Sequence, residues 1–393
     1  MLAIVAALTA TAAEAGSPPS TQGQSWSLGG TGTFPRALTI GPEAKIWFAG
    51  LQLSPQAGEV GFAGSVGSSG PAAVPAAASL GERLTYGGIA TGVDGNLWMT
   101  VPRANMVVRM SPSGDITKFP LPSSLNDPTA IVAAPEGTLW FTSEGSNAIG
   151  SISTVGTIRA YPLSANSTPR GITTGSEGTI WFTEAGANAV GRIAANGEIS
   201  TFPLPVSGGQ PNQIARGPEG NLWFTETGAP RVGRVTLQGE VSEFAAEPAG
   251  PIVAGPHGDL WFGSGQGIGS ISPQGRLGMT YGVLGSPGNV ESLAMGPEGA
   301  LWYGAHMEAR EGGGGNYLIH MTAPGVVGTY SAPAPTTTVA KNAKGRGTAW
   351  ALVRVGCTGG AAEQSCGGTL RLKANGAQLA ARKYALTTGG SRW

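Results

Sequence analysis

Seven near-copies of one tripeptide recur along the chain: Ile46-Trp47-Phe48, Leu97-Trp98-Met99, Leu139-Trp140-Phe141, Ile180-Trp181-Phe182, Leu222-Trp223-Phe224, Leu260-Trp261-Phe262 and Leu301-Trp302-Tyr303. Successive tryptophans lie 51, 42, 41, 42, 38 and 41 residues apart. A period near forty with one aromatic strand per repeat is the mark of a β-propeller, and the count gives seven blades. The fourth repeat shows the unit. Arg170–Thr174, Thr179–Glu184, Ala189–Ile193 and Glu198–Phe202 are short apolar or alternating runs parted by Gly and Asn turns, as in a four-stranded antiparallel blade. A Gly-Pro-Glu-Gly turn precedes the tryptophan strand at Gly217–Gly220 and Gly296–Gly299, with Pro presetting φ and Gly closing the turn. The tryptophans are read as blade-packing residues, because a large aromatic fills the wedge between radial sheets.

The flanks are less regular. In the first blade the stretch Gly64–Gly81 reads as an Ala/Gly/Pro-rich insertion, and in the last a loop at Glu308–Gly315 follows the second strand. Two segments can supply the last blade's outer strand: Ser25–Leu28 from the N-terminal side or Val326–Tyr330 from the C-terminal side. The fold class is therefore all-β, a seven-bladed propeller over residues 34–331, preceded by an N-terminal segment at 16–33. A Pro/Thr linker at 332–338 leads to a short β segment at 339–393 that resembles immunoglobulin-like modules of secreted bacterial proteins. At about 55 residues it is short for a complete sandwich of ~100.

Residues 1–15 look like a secretory signal lacking its basic region, with an apolar run from Leu2 to Ala13 and a small-x-small site at Ala13-Glu14-Ala15. The run is too short to span a bilayer. Secretion or a periplasmic location follows, which fits the two cysteines. Cys357 and Cys366 flank a small-residue loop between Ala351–Val355 and Thr369–Leu372, read as a hairpin stapled by a disulfide. Charge is scarce and balanced, with 23 basic against 23 acidic residues, which argues against nucleic acid as a partner. The expected partner is a small molecule, peptide or glycan at the mouth of a monomeric propeller.

The repeat is plainest at Gly217-Pro218-Glu219-Gly220-Asn221-Leu222-Trp223-Phe224-Thr225-Glu226, continuing through Val232-Gly233-Arg234-Val235 to Gly239–Phe244. It resembles that of the virginiamycin B lyase (streptogramin lyase) family, from roughly Phe34 to Tyr330. The resemblance implies a lyase that opens the ester bond of cyclic streptogramin B antibiotics by elimination. It further implies a Mg²⁺ ion with histidine and glutamate side chains at one mouth. A base would remove a proton α to a carbonyl while the metal steadies the enolate. In the family the histidines sit just before the inner strand and the carboxylates just past the tryptophan strand.

Counting against the tryptophans tests this. Eleven residues upstream stand Arg36, Gly87, Thr129, Arg170, Asn212, Gly250 and Glu291, with no histidine. Three residues downstream stand Gly50, Val101, Ser143, Glu184, Glu226, Ser264 and Ala305, with Glu144 one place beyond Ser143. Three histidines exist in all. His257 falls in a Gly-Pro-His-Gly turn on the opposite face, and His320 in a third strand. His306 is on the mouth face, so His306 and Glu291 form a candidate acid–base pair with the family's residue types interchanged. Glu184 and Glu226 are candidate Mg²⁺ ligands on the rim, with Thr-Glu as a backbone-capping strand end the alternative. Arg36, Thr129, Arg170 and Asn212 are candidate ligand contacts. The two arginines would attract an anion or pair with Glu184 and Glu291. The favoured reading is a binding propeller; the rival is the Mg²⁺-dependent carbon–oxygen lyase.

Overall fold

The computed structural model describes residues 23–27, 33–54, 58–66, 85–255, 258–265, 267–278, 289–296, 299–307 and 315–321, and further on 338–339, 345–346, 350–351, 355–356, 365–374, 377–387 and 391–392. One unit spans Gln22–Pro324, and the C-terminal strands belong to another. The first is a seven-bladed propeller. Blades two to five each have four antiparallel strands in sequence order, and blades one and six show three among the described residues. The fourth blade runs Pro169–Thr174, Ile180–Glu184, Ala189–Ile193 and Ile199–Pro203, within about one residue of the reading from sequence.

Ring closure is settled by the N-terminal segment. Gly23–Ser27 pairs antiparallel with Gly315–Met321, making the outer strand of blade seven. One blade thus holds both ends of the propeller, which removes a free edge at the seam. In blade one Gly58–Val66 is a nine-residue third strand paired along its length with Ile46–Ser54, so Gly64–Val66 belongs to the blade and not to an insertion.

Side-chain parity in the second strand sets the packing. Successive residues point to opposite faces of a strand, and the tripeptide divides accordingly. Trp181 packs with Leu222 and Phe224 of blade five. Trp223 packs with Leu260 and Phe262, Trp261 with Leu301 and Tyr303, and Trp302 with Ile46 and Phe48. Trp47 packs with Leu97 and Met99, Trp98 with Leu139 and Phe141, and Trp140 against Ile180 and Phe182. Each tryptophan faces the next blade and each flanking pair faces the previous one. At ~25 cal/mol/Å² a buried indole of 150–250 Å² contributes at most about 4–6 kcal/mol.

The indole also explains a glycine. A Cβ on Gly175 or Gly217, six residues before the tryptophan, would lie within 2.7 Å or less of the indole. Blade three has Ala134 there, and its Trp140 is half-buried and tilted 36° against Tyr161, whereas Trp181 and Trp223 stack at 21° on Phe202 and Phe244. Arg192 and Arg234 cover these stacked pairs, as Arg109 covers Trp98 stacked on Phe119, and the three donate to carbonyls of the next blade, at Leu237, Pro273 and Thr154.

Nearer the axis, a hydroxyl ties blade to blade. Two residues past the tryptophan, Thr183 Oγ1 accepts the Gly171 N–H of its own inner strand at 2.9 Å and donates to the Asn212 carbonyl of blade five at 2.5 Å. Thr142 accepts from Ala130 and donates to Arg170 at 2.9 Å; Thr225 accepts from Gln213 and donates to Gly250 at 2.7 Å. Thr100 accepts from Gly88 and donates to the Thr129 carbonyl. Between blades seven and one, Ser292 Oγ donates to the Pro35 carbonyl at 2.8 Å. The capping alternative for Thr-Glu thus holds for its threonine.

The C-terminal strands pair differently from the expected hairpin. Ser365–Ala374 pairs with Ala377–Thr387, while Val355–Gly356 pairs with Thr338–Val339 and Ser391–Arg392. The runs flanking the cysteines are therefore not partners of one another. Cys366 lies in the long hairpin opposite Leu386, and Cys357 lies outside the described residues, as do the leader-like segment 1–15 and the linker 332–337.

Replacing Thr183 with Val leaves the Gly171 N–H and the Asn212 carbonyl unpaired. It is expected to lower unfolding free energy by about 1–3 kcal/mol, with Thr183→Ser recovering most of the loss. Urea unfolding checks this, and a Val variant as stable as the parent would contradict the stitching role.

Candidate functional site

The inner strands carry a shared irregularity. In blades one, three, four, five, six and seven, the pairing of inner with second strand slips near the start of the inner strand. Such a bulge frees one or two residues from the ladder and re-aims them. In blade one the freed residue is Arg36, between Pro35 and Ala37; in blade seven it is Glu291, between Val290 and Ser292. In blades four and five the slip contains Arg170 and Asn212.

These residues meet around one cavity of about 790 Å³ on the axis. Arg36, Gly87, Thr129, Arg170, Asn212, Gly250 and Glu291 all line it, one from each blade. Below them runs an aliphatic layer that includes Leu38, Ile89, Ile131, Ile172, Ile252 and Leu293. The bowl is polar at the mouth and apolar in its wall. Counting from the tryptophans missed Gln213, which the blade-five bulge brings to the lining, and Asn289 and Ser292, which flank the blade-seven bulge in paired positions. The signal for Gln213 lies in the slip, which in blade five frees two residues.

The charges divide into two groups. Arg170 Nε stands 3.7 Å from Glu144 Oε1, each side chain about one-third exposed. Glu144 follows the second strand of blade three and lines the cavity, so the partner of Arg170 is Glu144 and not Glu184. A pair this exposed adds at most ~1 kcal/mol, but it cancels both charges locally. Arg36 and Glu291 are exposed, and among the described residues neither has an ion-pair partner.

The two proposed metal ligands sit elsewhere. Glu184 and Glu226 are 2% and 0% exposed and do not line the cavity. Both share a strand face with the phenylalanine two residues earlier, so they point into blade packing. Glu184 Oε1 accepts from Thr201 Oγ1 at 3.5 Å, and its pKa is raised by burial against hydrogen bonds from Ser167 and Thr201. Glu226 stands beside Glu243, which is bridged to Arg231 at 3.1 Å, and neither Glu226 oxygen has a hydrogen-bond partner. Burial, and then the Glu243 charge, push its pKa up to about 7, while Arg231 opposes the shift. A Mg²⁺ ion needs octahedral oxygen ligands and keeps several waters. Two carboxylates closed into different blades beside different partners do not fit one. No group of three or more His, Cys, Asp and Glu side chains suited to a metal occurs among the described residues.

Of the histidines, His306 is paired in the backbone register with Asn289, a lining residue, and stands one strand from Glu291. The side chains of His306 and His320, and His257 altogether, lie outside the described residues. No helix among the described residues is long and apolar enough to cross a membrane.

Glu226 gives the propeller a pH signature. Its folded pKa lies above the ordinary carboxylate value, so folding favours the neutral acid, and stability is lost as pH rises towards and through about 7. Glu226→Gln removes that loss. Relative to the parent, the variant should gain on the order of 1–3 kcal/mol between pH 5 and pH 8. Urea unfolding at the two pH values measures it, and an unchanged difference between variant and parent would refute it.

The model of the Virginiamycin B lyase family matches residues 80–338. Among curated relatives, virginiamycin B lyase of Bordetella pertussis is 42% identical over 50 residues, covering 13% of this chain and 16% of its own length. The Bordetella bronchiseptica protein of that name is 43% identical over 44 residues, or 11% and 15% of the two chains. The chain thus aligns with about one sixth of these relatives' length. Among solved structures, virginiamycin B lyase from Staphylococcus aureus superposes with a TM-score of 0.62 at 26% identity, over 77% of this chain and 99% of that one. Its catalytically inactive histidine-to-alanine variant, crystallised with quinupristin, matches equally, with TM-score 0.62, 26% identity and coverage of 76% and 99%. A streptogramin B lyase structure gives 0.63 at 25% identity, over 76% and 97% of the two chains. With most of its propeller matched by the family model, the chain belongs to the virginiamycin B lyase family.

Proposed function

We propose that this family member is an exported ligand-binding propeller that holds a small molecule or peptide in its axial cavity without turning it over. The observation that carries the reading is the make-up of the mouth. All seven blades contribute the residue eleven places before the tryptophan to one cavity, and none of the seven is a histidine. Elimination needs a base at the proton α to the carbonyl. Where the family resemblance puts imidazoles, the lining offers Gly250 and Glu291. The cavity is nevertheless of the size of small-molecule sites, concave, and mixed in polarity.

The lyase reading keeps one supporting observation. Glu291 is a carboxylate without an ion-pair partner among the described residues, and His306 sits in the neighbouring strand. An imidazole and a carboxylate so placed could divide proton removal and delivery.

Two measurements test the proposal. Saturation-transfer NMR with a panel of cyclic and linear peptides, quinupristin among them, should find binders that lose at least tenfold in affinity in Asn212→Trp. That change puts a bulky ring into the mouth. No binders, or binders indifferent to the change in a folded variant, would overturn the binding site. Incubation with quinupristin and Mg²⁺, followed by liquid chromatography and mass spectrometry, should return the intact ring. A linear isomer whose formation disappears in His306→Ala would establish the lyase instead.

A further inference from the structure

The charge distribution around the mouth is uneven, and the unevenness has a chemical reading. On the wall formed by blades three and four, Arg170 and Glu144 neutralise one another. Blade five offers the neutral amides of Asn212 and Gln213. Blades seven and one present Glu291 and Arg36, opposite charges on adjacent blades. Their bulges are locked together one residue away, where Ser292 Oγ donates to the Pro35 carbonyl at 2.8 Å. Both side chains face the cavity, both are exposed, and no ion pair joins them.

The sectors flanking this pair carry glycine at its level, with only Pro251, Ile252 and Ile89 as apolar lining beside it. Blade six contributes Gly250 and blade two Gly87 with Gly88 at the same level. At Gly87 the space is closed to anything larger, since a Cβ would come within 2.8 Å of Thr100 Oγ1 and of the Thr129 carbonyl. The threonine that stitches blade two to blade three therefore keeps position 87 a glycine. Beneath the charged pair, Leu38 and Leu293 line the wall of blades one and seven.

We infer that the sector of blades six, seven, one and two binds a small aliphatic zwitterion of the amino-acid class. Its carboxylate lies on the Arg36 guanidinium, its ammonium on the Glu291 carboxylate, and its aliphatic chain on Leu38 and Leu293. A guanidinium matches a carboxylate through two parallel N–H donors. The opposite charges held apart at adjacent bulges supply complementary poles for a ligand that carries both, and a concave wall strengthens each contact over open water. A neutral ligand would leave both poles to water, and a singly charged one would use half of the site. The inference rests on the reading of the cavity as a binding site and specifies what enters it.

The test is calorimetric titration of the full chain with L-leucine, N-acetyl-L-leucine and L-leucinamide. Leucine should bind at least tenfold more tightly than either derivative, because each lacks one charge. Arg36→Gln should erase the preference over the amide while keeping that over the acetyl compound, and Glu291→Gln should do the reverse. Derivatives that bind as tightly as leucine, a preference that survives in the matching variant, or no leucine binding would overturn the assignment. If leucine fails while other compounds still lose affinity in Asn212→Trp, the zwitterion falls and the binding cavity stands. If nothing bound responds to Asn212→Trp, both fall.

Discussion

Everything in the propeller depends on the two-sidedness of its second strand. One residue of the tripeptide, the tryptophan, faces the following blade, while its neighbours face the preceding one. The same strand thus serves two interfaces, and the interface repeats until Trp302 of blade seven meets Ile46 and Phe48 of blade one. A radial array of this kind has no core of its own at any single blade. Its apolar burial is shared between neighbours, so stability is a property of the closed circle. That is why the seam matters and why a short N-terminal strand is drawn into the last blade.

The hydroxyl two residues after the tryptophan carries this frame inwards to the mouth. Each threonine holds its own inner strand by an amide and its neighbour by a carbonyl, and the carbonyls chosen belong to Thr129, Arg170, Asn212 and Gly250. These are mouth residues tied to the ring through their backbone carbonyls. The side chains of Thr129 and Arg170 add a hydrogen bond to Thr142 and an ion pair with Glu144, but the stitch itself does not depend on which side chain stands there. Scaffold and mouth are therefore largely separated at the level of single atoms, so that blades of one build can carry different residues at the mouth.

The same division explains what could be read from sequence. The tryptophan spacing fixes the blade, and the start of the inner strand lies at a constant offset from it, so the residues eleven places upstream all arrive at one cavity. Counting three places downstream fails because it ignores parity. Glu184 and Glu226 share the face of Phe182 and Phe224, and Gly191 makes room for both the Phe182 ring and Glu184 Oε1. Glu144 escapes because it lies past the strand end, in a short turn, where alternation no longer holds. The C-terminal pairing was legible in the dipeptide Asn375-Gly376, a strong hairpin signal between two apolar-polar runs that outweighs the nearness of two cysteines.

Burial and titration also point in different directions here, and geometry decides between them. A carboxyl pushed to about 7 is the usual mark of an acid or base at work. Glu226 has that mark, yet it lies against Gly209 inside the blade, where a Cβ on that glycine would be 2.3 Å from its Oε2. No ligand in the axial cavity can exchange a proton with a group outside its lining. Its shift follows from strand parity, which turns a rim-adjacent carboxylate inwards and leaves it beside Glu243 with one arginine between two acids. The perturbed acid belongs to the stability of the ring, and the chemistry of the mouth is left to the side chains that face water.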